Sequence, residues 1–165
     1  MMTTMAALLG ALPLALGSTG CIKAMLTNGQ IEGTRQGSVA FDRFADFEAA
    51  EYAAANALVQ FEGMLELAPG NEDALFMLTK AYTGYAFGFI EDHMEQAEDR
   101  GDRAGAAYHK QRARTAYKNA IAHGLVLLGA ADKGFEAGKS NEATLDAWLS
   151  KTLLVTATDG LFHHN

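Results

Sequence analysis

The chain has 165 residues, 49% apolar and 20% charged, with a formal net charge of −7. This length suits one domain with its own core, and the composition is that of a folded chain, not a disordered one. The acidic balance excludes nucleic acid as a partner, because phosphate binding needs a basic surface. A single cysteine excludes an internal disulfide framework, and two prolines among many alanines favour helices.

Residues 6–16 (AALLGALPLAL) form an apolar run shorter than the roughly 20 residues that span a bilayer. Gly17, Ser18, Thr19 and Gly20 follow, and then Cys21. Small residues leading to a cysteine look like a bacterial lipoprotein signal, with 1–20 removed and the Cys21 thiol lipidated. Ile22 is not the aspartate that retains many lipoproteins in the inner membrane, which favours the outer one. The opening residues lack Lys and Arg, and Ser18 stands where leucine is usual. A free cysteine after an ordinary apolar stretch is therefore the alternative. Gly29, Gly33 and Gly37 then predict a tether over 21–40, with at most a short helix over 22–26. The rest, 41–165, reads as one helical domain.

Phe44, Phe47, Ala50, Ala54, Ala57, Phe61 and Met64 recur at helical spacing and predict a first helix over 44–67, capped by Asp42 or Asp46. Pro69 stops it, and Asn71 caps a second helix over 72–98 with Glu72 and Asp73 in its first turn. At about 100° per residue, Leu75, Leu78, Tyr82, Tyr85 and Phe89 share one face of that helix. Phe76, Thr83, Phe87, Ile90 and Met94 share another, so burial on both sides is expected. Gly84 and Gly88 suggest a tight helix crossing within it, with space for something bound as the alternative.

Carboxylates crowd residues 91–102 and cations residues 100–118, with Gly101 and Gly105 between them. Folded as a hairpin, the two sets would face each other and set register. A third helix is expected over 104–128, where Ala113, Tyr117 and Ala120 repeat the spacing of Ala57, Phe61 and Met64. The offset from 57 to 113 is 113 − 57 = 56 positions, against about 34 for a tetratricopeptide repeat. A weaker helix over 141–158 contains Trp148, and 160–165 looks frayed. The fold class is all-α, built of antiparallel helical hairpins of degenerate tetratricopeptide type.

None of the five histidines lies in a Glu-x-x-His or His-Glu-x-x-His pattern, and no glycine-rich phosphate loop or serine elbow occurs. No metal, no cofactor and no enzymatic activity are expected. The candidate binding residues are those of the second helix and its neighbour: Phe76, Tyr82, Tyr85, Phe87, Ile90, Met94 and Tyr117.

Cys21-Ile22-Lys23, the segment LVQFEGMLELAPGNEDALFMLTKAYTGYAFGFIEDHMEQAED and the later RARTAYKNAIAHGL resemble the T component associated with TRAP transporters. The elements carrying the likeness are Pro69, Ala81-Tyr82, Tyr85-Ala86-Phe87, Glu91, Glu95 to Glu98, Arg112-Ala113-Arg114 with Tyr117, and Gly124-Leu125, within about 16–129. The resemblance implies a lipid-anchored periplasmic protein of tetratricopeptide-like hairpins that can form a homotrimer. It also implies a periplasmic solute-binding protein as partner and an apolar groove for a hydrophobic or organic-acid ligand. Family members usually continue through several more helices, so this chain would be a truncated member. A structural envelope scaffold without a small ligand is the alternative.

Overall fold

A computed structural model describes residues 18–160, and their regular structure is entirely helical. In chain order these are α1 (Ser18–Gly37), a 3-10 turn (Ser38–Arg43), α2 (Phe47–Leu67), α3 (Glu72–Tyr85), a π turn (Ala86–Ile90), α4 (Glu91–Asp99), α5 (Arg103–Ala131), the single turn α6 (Phe135–Gly138) and α7 (Glu142–Gly160). The expected signal stretch lies outside the described residues except for its last three, and so does the expected frayed end from 161.

Each main helix starts on a cap of the expected type. Asp46 accepts from the Ala49 amide at 3.0 Å and Asn71 from the Ala74 amide at 2.9 Å, and Asp102 opens α5 through the Gly105 amide at 2.9 Å. These short side chains satisfy amides that the first turn leaves without partners. Between α2 and α3 the Asn71 amide donates to the Ala68 carbonyl at 3.1 Å. Pro69 and Gly70, with φ of +79°, fill the central positions of this type II turn. At the end of α4, Gly101 has φ of +71°. Its amide reaches the Glu98 carbonyl and the Asp102 amide reaches Ala97, which is the Schellman closure of a helix.

The second helix of the sequence reading, over 72–98, is present as one rod made of α3, the π turn and α4. It packs between α2 and α5. Buried Phe61, Ala74, Met77 and Leu78 join α2 to α3. Ala86, Ile90, Ala113 and Ala116 join the π turn to α5, and Phe89 turns the other way, onto Ala50 and Ala54 of α2.

The tether expected over 21–40 is helical instead as far as Gly37, within α1 (Ser18–Gly37). Tertiary contacts outweigh the glycine penalty. Ile31 is 1% exposed within the α2–α3 core. Asn71 donates to Asn28 at 2.9 Å, while Arg35 pairs with Asp73 and lies 4.4 Å above the Phe76 ring.

Two packing expectations are also corrected. At Gly84 and Gly88 an added Cβ would meet nothing within 4 Å, so neither marks a tight crossing. Nor does any ion pair among the described residues join the acidic 91–102 set to the basic 100–118 set. Small buried side chains on both helices, Ala97 at 1% and Ala113 and Ala116 at 5% and 6% exposure, set that register by close packing.

Candidate functional site

The candidate residues of the second helix do not form one site. Tyr82, Tyr85, Ile90 and Tyr117 pack together inside the interface with α5, whereas Phe76 is 39% and Phe87 71% exposed. Met94 is half-buried. The expectation of burial on both faces therefore fails. Phe76 and Phe87 lie on a side of the rod that α2 and α5 leave uncovered, and Ile90 leaves that face at the π turn, where the Glu91 amide donates back to the Ala86 carbonyl five residues earlier. One extra residue in the turn rotates everything beyond it relative to an ideal helix. Ile90, assigned to the second face at 100° per residue, thereby comes to point into the core, while Phe87 stays outside. The only sequence hint was the run Ala86-Phe87-Gly88-Phe89-Ile90, too apolar for one stripe.

Polar groups stitch the three-helix body at two levels. At the lower level the Tyr82 hydroxyl donates to Glu62 Oε1 at 2.8 Å, and His123 Nε2 lies 3.2 Å from the same oxygen. The Tyr82 and His123 rings stack, with centroids 5.8 Å apart and planes 14° from parallel. Burial and the neighbouring Glu62 carboxylate both hold the Tyr82 hydroxyl protonated above its usual range. At the upper level His93 Nε2 meets Glu51 at 2.9 Å, and Arg112 donates to the Tyr85 hydroxyl at 3.1 Å. The Tyr117 hydroxyl donates to Glu91 at 3.0 Å. Burial first, then the positive Arg112 and the adjacent His93, lower the His109 imidazole's affinity for its second proton.

Beside the lower level a groove of about 290 Å³ opens between α2, the start of α3 and α5. Glu62, Leu65, Glu66, Pro69, Gly70, Leu75, His123 and Val126 line it. Its walls are apolar and its charged groups are carboxylates, so an organic acid would meet like charge there. Of these residues the sequence points to Pro69 and Gly70 for the turn and to Leu65 and Leu75 for the apolar stripes. Glu62 and Glu66 stand four apart on one helix, a spacing that was legible, but the approach of His123 from 61 residues away was not. Among the described residues no group of three or more His, Cys, Asp or Glu could hold a metal.

Cys21 lies near the start of α1, and its side chain is outside the described residues. None of the described helices is long and apolar enough to cross a membrane.

The fold is thus an all-α bundle in which one long broken helix is held between two others, with Phe76 and Phe87 exposed on its outer side. The sequence matches the family model described as TRAP transporter T-component over residues 44–163. The chain belongs to the TRAP transporter T-component family. No curated protein and no solved structure matches it.

Proposed function

We propose that this protein is a periplasmic lipoprotein that docks the solute-binding protein of a TRAP-type transporter, anchored through lipid on Cys21 in the outer membrane. Family membership supports the link to transport. The observation that carries the docking is Phe87, which stands 71% exposed on the π turn. Gly84 and Gly88 flank it with open space where side chains could stand. An exposed aromatic on a bare helix surface provides contact area at little entropic cost, as interface anchors do. Phe76, about three turns back along the same rod, is held by Arg35 from α1, and a hydrophobic ligand belongs to the same reading. The tetratricopeptide-like hairpin and the homotrimer belong to the same reading.

Binding of the purified protein to the solute-binding protein of its transporter, measured by calorimetry, tests the docking. Phe87→Asp should weaken it at least about ten-fold, the loss of an anchor residue, with helix content unchanged. Equal affinity of parent and variant would remove Phe87 from the interface. Labelled palmitate incorporated by the parent and lost in Cys21→Ala tests the anchor.

A further inference from the structure

We propose that the groove between α2, α3 and α5 binds a small organic cation, an ammonium head on an apolar body, independently of any docking through Phe87. The polar end is built by three helices. Tyr82 from α3 and His123 from α5 both reach Glu62 Oε1, which fixes the carboxylate, while Oε2 accepts no hydrogen bond from the described residues. One turn further along α2, Glu66 has no hydrogen-bond or ion-pair partner among the described residues. Carboxylates four apart on a helix repel each other, and the one basic side chain lining the groove, His123, sits on Glu62 Oε1 and leaves Glu66 without a partner. An ammonium group between them would do so, donating to both in charge-assisted bonds.

The other walls are Leu65, Leu75 and Val126. Val126 is 55% exposed although it lies beside the groove, so an alkyl or aryl body would cover apolar surface that water now wets. A volume of about 290 Å³, at roughly 30 Å³ for each water-sized atom, holds a ligand of roughly ten non-hydrogen atoms. The chemistry selected is therefore a short apolar amine, and neither an organic acid nor a neutral lipid.

Titration of the full chain with n-octylammonium, 1-octanol and octanoate, followed by amide NMR shifts, tests this. Octylammonium should perturb Gly70, His123 and Val126 and bind about ten-fold or more tightly than octanol, the worth of a charge-assisted bond. Octanoate should bind more weakly than both. Glu66→Gln should reduce the preference for the ammonium several-fold, Glu62 still accepting from it, and leave octanol binding unchanged. Glu95→Gln, an equal charge change on exposed α4, should leave all three unchanged. The proposal is overturned if the three probes bind alike, if octylammonium shifts no groove amide, or if Glu95→Gln weakens it as much as Glu66→Gln. Far-UV circular dichroism confirms that each variant is folded.

Discussion

In the body formed by α2, the α3–α4 rod and α5, buried alanines and a few larger side chains spread the packing over three interfaces. At the corner between α5 and α7 the contacts converge on Trp148. Its indole N–H donates to Asp132 at 2.7 Å, and its ring lies 5.0 Å from that of Phe135. Its side chain also rests against Gly138, where an added Cβ would come within 2.9 Å. The body shares its load among many small contacts and the corner concentrates it in four residues. Stability should therefore be a property of the body, and local order at the C-terminal end a property of the corner.

The strongest way to break this contrast is in the body. Leu78, which is 0% exposed, should cost about 2–5 kcal/mol when cut to alanine. The urea midpoint would fall with an unchanged slope. A loss well under about 1 kcal/mol would mean that the core relaxes around the cavity. Next is Gly138→Ala, which forces Trp148 aside at a local cost of about 1–3 kcal/mol. Tryptophan emission should change, because Trp148 is the sole tryptophan, while the midpoint of helix unfolding barely moves. An equal fall in both would make body and corner one cooperative unit.

A smaller change goes the other way. Gly84→Ala fills open space on the exposed side of α3 and should stabilise by about 0.5–1 kcal/mol, read from the same denaturation curves. Destabilisation instead would restore the tight crossing that the structure lacks. The smallest effect concerns pH. The Gly134 amide and then the Trp148 indole N–H hold the Asp132 carboxyl below its ordinary 3.8. Because the folded value is the lower one, the stabilisation is present above about pH 3.8 and is lost as pH falls through the folded value. Trp148 emission should change in that acid range in the parent and not in Asp132→Asn.

The amino-acid sequence by itself determined the helices from residue 44 onward and the hairpin at Pro69, because these depend on residues within a turn or two of each other. Asn71 could be assigned as a cap from its position alone, Asp46 only as one of two candidates with Asp42, and the family likeness rested on the same local patterns. Tertiary structure decided what local rules rank wrongly or cannot see. Residues 18–37 are helical because Ile31 and Arg35 find partners around 40 residues away, contacts that outweigh four glycines. The π turn sent Ile90 inward and left Phe87 outside, a rotation that no ideal periodicity contains. The groove likewise exists only because α5 brings His123 back to Glu62.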